Sequence, residues 1–366
     1  MRLAKITDVV GGVTLAHDVP NAALGAGPLL RRGVVLTPNM IGRLQAYNIS
    51  TVWIEDELSK DIDPGETLPD GLRGRAEGAV SSCLVEIEQS GPKLLSPEAL
   101  REIKDAVTSI VDILAGDPRL MLRLDSLASA DSYSYAHSVR VTTLGLLLGH
   151  RVLQNDGWTD WKGEKRYDRL DERLTDLGAG LLIHDIGKAV IPESVLNKNG
   201  PLTSEEFDLV KSHAAVGAQM VSTEHLSPLS IAVIRDHHEK WDGTGYGNGK
   251  VGLNIPQFAR IAALADVYDA VTSERPYKAG QPTWMGVKVI RDGSGNHFDP
   301  TMAKHFLDFV HPYPKGTTIK LNSETEGVVV DVDAVNPDYP LVRYRQGERL
   351  TEKVLHIEDG VVLSDL

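Results

Sequence analysis

Cysteine is nearly absent from the chain: among 366 residues only Cys83 carries a thiol. A single cysteine excludes a disulfide within the chain and a zinc site built on several thiolates. Long apolar runs are absent too. No stretch approaches the roughly 18 uncharged apolar residues of a membrane-spanning helix. The opening MRLAKITDVVGGVTLAHDV alternates apolar and polar residues, unlike a signal peptide. Positive charge is in deficit, with 38 Lys and Arg against 51 Asp and Glu, a formal net charge of -13. Binding along a nucleic-acid polymer needs clustered Lys and Arg, so no such partner is expected. An anionic small substrate would need positive charge supplied locally, by metal ions or a few placed side chains. Internal repeats and low-complexity segments are missing as well. What is present is ordinary for a globular protein: 42% hydrophobic and 24% charged residues. The chain is long enough for two or three domains. The expected setting is the cytoplasm, with no membrane association.

The fold class read from the pattern is mainly α, a helical catalytic bundle with small β-rich modules at the N and C termini. Residues 1–65 form the first module. Gly12 to Leu15, Val34 to Leu36 and Ser50 to Ile54 are short, β-branched and separated by Gly, Pro and Asn. A short helix is expected over Asn39 to Tyr47, and Ile62 to Gly74 reads as a linker. The helical domain covers 75–312. Ser96-Pro97-Glu98 starts one helix, with Leu100, Ile103, Val107, Ile110, Val111 and Leu114 following at helical spacing. Another starts at Thr203, where Glu206 completes a capping box and Leu202 with Phe207 makes a hydrophobic staple. The polar segment Gln154 to Asp176, with Trp158 and Trp161, reads as an insert, either a loop or a short hairpin. Thr317 to Leu321, Gly327 to Val332 and Leu341 to Tyr344 read as strands of a C-terminal β module over 313–366.

Of 12 histidines, five fall in the helical region beside acidic residues: His137, His184, His213, His237 and His238. Each alone is more often a satisfied core residue than a ligand; the group carries the argument. In Leu181-Leu182-Ile183-His184-Asp185-Ile186-Gly187-Lys188 an acid follows a strongly apolar run. An ionised Asp there costs several kcal/mol unless paired or coordinated. A metal would answer that cost, and the two oxygens of Asp185 can bridge two ions. Asp266 sits likewise inside an Ala-, Ile- and Leu-rich helix. His237-His238 stands at a helix end before a Gly-rich loop whose backbone freedom permits close approach by a ligand. Imidazole with carboxylate and no thiolate suits iron, manganese, zinc or nickel. Two metals bridged by a carboxylate and a water form a standard device for phosphate-ester hydrolysis.

HDIGK at 184–188, His213, HHEKWDGTGYG at 237–247, ARIAALADVYDAVTSERPYK at 259–278 and NHFDP at 296–300 occur in this order. The set resembles the HD-GYP domain, a branch of the HD superfamily of metal-dependent phosphohydrolases, over roughly residues 125–310. The resemblance implies an all-helical HD-type bundle that hydrolyses cyclic di-GMP to pGpG or GMP in bacterial second-messenger signalling. It implies two divalent metals, iron or manganese first. One would be held by His137, His184, Asp185 and Asp266, the other by Asp185, His213, His237 and His238. Asp185 and Lys188 carry the catalysis, with Lys188 on the scissile phosphate. Arg275, Lys278 and Tyr246 complete the substrate contacts. Two departures stand out. Some members have a Glu, ligand to a third metal, where this chain has Tyr133, so two metals are expected. The family's Pro is replaced in Gly245-Tyr246-Gly247, a loop implied to dock signalling proteins. Other readings keep the site but change its use: hydrolysis of another cyclic dinucleotide or nucleotide, or a non-catalytic cyclic-dinucleotide-binding signalling module. The β modules are candidates for ligand sensing, partner docking or homodimer formation, and the 154–176 insert for covering the site.

Overall fold

A computed structural model describes residues 1–19, 28–47, 49, 51–64, 68–116, 133–159, 163–198, 200–273, 280–321, 325–333 and 336–355. The N-terminal part pairs β1 (Arg2–Lys5) and β2 (Thr14–Leu15) on either side of β3 (Thr51–Glu55), all antiparallel. Between them lies helix α1 (Pro38–Ala46), capped by the Thr37 hydroxyl, which accepts from the Met40 amide, with Pro38 in the first turn. The expected strand over Val34 to Leu36 reduces to a single bridge, Val35 to Thr14, with flanking amide bonds to Val13 and Leu15. Ile6, Leu15, Leu36, Ile41, Leu44, Val52 and Ile54 close a small core of their own.

The helical part opens with α2 (Asp70–Ser90), which begins inside the stretch read as a linker, and α3 (Pro97–Gly116). All six apolar positions counted at helical spacing in α3 are buried. Burying each such side chain fully stabilises by about 1.5–3 kcal/mol. Helix α4 (Tyr133–Asp156) is buried nearly all round from Ala136 to Gly149. It leads into a short hairpin of β4 (Trp158–Thr159) and β5 (Lys165–Arg166), so the middle of the expected insert is a hairpin, while Gln154 to Asp156 end α4 and Leu170 to Asp176 belong to the next helix. Trp158 packs on the main core, donates to the Asp168 carbonyl and lies under Arg173; Trp161 is outside the described residues. Then follow α5 (Leu170–Leu182), a 3-10 turn over Ile186–Val190, α6 (Glu193–Leu196), α7 (Ser204–Lys211), α8 (His213–Gln219), α9 (Pro228–Asp236), α10 (Gln257–Thr272), α11 (Thr283–Gly293) and α12 (Pro300–Leu307). The capping box at Thr203 and Glu206 is present. Helices α4, α5, α9 and α10 pack on one another around one large apolar core. Among the described residues no helix is long and apolar enough to cross a membrane.

The chain closes with an antiparallel meander, β6 (Thr318–Lys320), β7 (Glu326–Val332), β8 (Pro340–Gln346) and β9 (Arg349–Val354). The edge of this sheet at β6 meets the edge of the N-terminal sheet at β1. The Leu3 amide donates to Gly316 O, the Thr318 hydroxyl donates to Leu3 O at 2.6 Å, and Arg2 reaches Thr318, Asp56 and Glu326. Each edge thereby covers the other, which removes two strand edges from solvent.

Candidate metal centre

The bundle brings all seven anticipated ligand residues to one place. His137 comes from α4, His184 and Asp185 from the end of α5, His213 from the first residue of α8, His237 and His238 from the end of α9, and Asp266 from α10. Their donor atoms form two adjoining groups: His137, His184 and Asp266, and Asp185, His213, His237 and His238, with the atoms of each group within 4.8 Å of one another. Asp185 lies between them. Its Oδ2 is 3.6 Å from both His137 Nε2 and His184 Nε2, while its Oδ1 is 3.3 Å from His213 Nε2 and 3.8 Å from His237 Nε2. His137 Nε2 is also 3.3 Å from Asp266 Oδ1.

The backbone explains the convergence. Helix α5 stops at Leu182, and the chain turns through Ile183 so that His184 and Asp185 leave the helix end together. The His184 Nδ1–H donates to Leu181 O at 2.7 Å, that of His213 to Val210 O at 2.6 Å, and that of His237 to Ile234 O at 3.0 Å. A carbonyl can only accept, so each proton is on Nδ1 and each Nε2 lone pair faces the centre. Gly187 lets the 3-10 turn touch α8: a Cβ there would stand 2.1 Å from His213 O.

Electrostatics keep these groups in ligand form. Burial holds the imidazoles of His184 and His237 below the usual histidine range and pushes His238 down to about 4. Burial opposes ionisation of Asp185 and Asp266, but is outweighed: Lys188 foremost for Asp185, and the hydrogen bond to His137 for Asp266, hold both below the carboxylate range. Three buried atoms of the cluster, His184 Nε2, Asp185 Oδ1 and His238 Nε2, have no hydrogen-bond partner among the described residues. Such atoms cost about 1–3 kcal/mol each when left unsatisfied. Coordinated cations would satisfy them, and the imidazole and carboxylate donors suit a divalent ion.

Around this centre stand residues that the sequence reading did not single out, beside Tyr246 and Lys188, which it did. Asp269, one helical turn after Asp266, accepts from His137 Nδ1 at 2.7 Å and from Arg140 Nε at 2.5 Å, with the Ser273 hydroxyl on the same carboxylate. Its spacing of three from Asp266 is the signal that could have found it. Asp236 and Glu239, flanking the two histidines, are buried and tie down the Gly-rich loop. Asn248 Nδ2 and Lys250 Nζ donate to Asp236 at 2.6 and 2.5 Å, and the Asn248 and Lys250 amides donate to Glu239. The loop sets Tyr246 against His238, ring centroids 4.5 Å apart and nearly parallel. Burial, with Asp185 and Asp266 nearby, raises the Tyr246 hydroxyl, so it stays protonated. Lys188 Nζ rests on Asp185 Oδ2 at 2.5 Å with its side chain partly exposed. Arg275 and Lys278 lie outside the described residues, as does the Tyr133 side chain.

The chain resembles known proteins along much of its length. A family model described as an HD domain matches residues 165–302. A cyclic di-GMP phosphodiesterase of Pseudomonas aeruginosa is 36% identical over 336 residues, covering 83% of this chain and 76% of the relative. A 3'3'-cGAMP-specific phosphodiesterase of Vibrio cholerae is 29% identical over 254 residues, covering 69% of this chain and 48% of the relative. The chain thus spans about three quarters of the first relative and about half of the second. An HD-GYP-type protein from Bdellovibrio bacteriovorus shares the fold, with a TM-score of 0.50 over 84% of this chain and 98% of that one, at 19% identity. Similarity to the Pseudomonas enzyme along most of both chains, together with the HD-domain match, makes this protein a member of the HD-GYP family of HD-domain, metal-dependent phosphohydrolases.

Proposed function

We propose that this chain is a binuclear phosphodiesterase that cleaves cyclic di-GMP, releasing pGpG, GMP or both. The observation that carries the reading is the division of Asp185, one oxygen toward His137 and His184 and the other toward His213 and His237. One metal is held by His137, His184, Asp185 and Asp266, the second by Asp185, His213, His237 and His238. Iron or manganese is the preferred pair, and the donors accept zinc or nickel as well. When bound, the ions supply water activation and neutralisation of phosphate charge. The chain's own residues do the rest. Asp185 fixes the spacing of the two halves. The Lys188 ammonium, next to Asp185 and partly exposed, turns to a phosphate oxygen of the arriving ester and holds it by charge. The Tyr246 phenol, kept protonated, donates to the substrate. Arg275 and Lys278 contact its second phosphate or its bases. The cyclic di-GMP activity named for the Pseudomonas relative supports this substrate. Anaerobically metallated protein should carry two ions per chain and convert cyclic di-GMP to pGpG or GMP. Bound metal without product would overturn the reading.

A second reading has a specific observation behind it, the relative that acts on 3'3'-cGAMP. Comparing kcat/KM for the two cyclic dinucleotides decides between them.

A further inference from the structure

We propose that Phe207 and Tyr246 form an aromatic corner that receives the purine attached to the phosphate being cut. The proposal rests on the phosphodiesterase reading and adds a base-binding subsite to it. A chain of rings leads out of the metal centre. The imidazole of His238 stacks on Tyr246 at 4.5 Å, and Tyr246 meets Phe207 at 6.4 Å with the ring planes at 75°. Two rings near a right angle offer a ligand one wall to stack on and another to meet edge-on.

Phe207 is 48% exposed. This exposure leaves much of the ring open to a ligand. The ring is nevertheless held firmly. Helix α7 is fixed by its capping box, and Lys211 Nζ lies 4.8 Å from the Phe207 centroid while pairing with Asp208 at 2.5 Å. A base joined through one ribose to a phosphate at the metal centre lies beyond the ligand histidines, where this corner begins. The corner meets the π-face of a base and not its edge, so guanine and adenine are accepted alike.

Replacing the ring, Phe207→Ala, should lower kcat/KM for cyclic di-GMP about tenfold or more, mainly by raising KM, the scale of one lost base-aromatic stack. The factor should be similar for 3'3'-cGAMP. Phe207→Trp should restore the parent value. Metal content and hydrolysis of methyl p-nitrophenyl phosphate, which has no purine, should not change. A parent-like KM in Phe207→Ala overturns the proposal, and so does an equal loss on both kinds of ester. The Phe207→Trp variant gives a readout free of turnover. Cyclic di-GMP should quench its fluorescence beyond the quench of the parent, whose five tryptophans form the background; no added quench overturns the corner. A parent that turns over no cyclic dinucleotide defeats the phosphodiesterase reading, and the fluorescence result still decides the corner.

Discussion

His137 differs from its neighbours in what stands behind it. His184, His213 and His237 rest their Nδ1–H groups on backbone carbonyls, whereas His137 rests on the Asp269 carboxylate. A carboxylate partner makes an imidazole more basic and fixes its ring more tightly. Asp269→Asn keeps the shape but removes the charge, leaving the buried Arg140 guanidinium with a weaker acceptor. We expect about a 10–100-fold loss in metal affinity or turnover. Calorimetric titration of metal into the stripped protein measures it, and an unchanged isotherm would remove the role. The seven clustered residues were legible in the sequence because motif order and buried acids point to them. Arg140 was not, because a single sequence does not say that residues 129 apart share a hydrogen bond, and for Asp269 the only signal was its spacing of three from Asp266.

Between helices α9 and α10 the Gly-rich loop holds its shape by geometry the family motif does not have. Gly247 has φ +133, and a Cβ there would stand 3.0 Å from Glu239 Oε1 and 3.3 Å from the Arg235 carbonyl oxygen. Proline is locked near φ -65. The Gly in place of the family's Pro is therefore matched to a different backbone path. Restoring the motif with Gly247→Pro should destabilise the protein by roughly 2–3 kcal/mol and pull Tyr246 away from His238. Thermal unfolding and metal content would record it; a parent-like midpoint would mean that the loop can take the other path. At this scale the sequence was readable wherever a face is buried. The α3 spacing and the Thr203 cap held because period and capping are local. Strand β9 escaped because most of its residues are exposed, so no apolar alternation marks it. The single bridge at Val35 replaced a strand because the partner strand has only two residues: Val34 accepts from Leu15 within it, whereas Leu36 bonds to Val13 and Gly12 outside it.

The whole molecule joins what the sequence separates. More than three hundred positions lie between Arg2 and Thr318, yet the two terminal sheets meet through them, and no local pattern announces such a contact. Acid-base behaviour is likewise a property of the whole. In the metal-free protein His184, His237 and His238 stay neutral because they are buried, His238 down to about pH 4. His150, His297 and His311 are lowered by burial too. Unfolded, all six take up protons near pH 6.5. Below that pH the unfolded chain binds more protons, so stability falls as pH falls; His238 alone contributes no more than about 3 kcal/mol of this loss. His137 acts in the other direction. Burial resists its charge, but the hydrogen bonds to Asp266 and Asp269 push it up to about 9. Its stabilisation is complete below the unfolded value near pH 6.5 and is lost as pH rises toward 9. Stability of the stripped protein should therefore peak near neutral pH and decline on both sides. Thermal scans in chelator across that range test this, and a midpoint that rises steadily from acid to pH 9 would show that His137 is not held as a cation by its two aspartates.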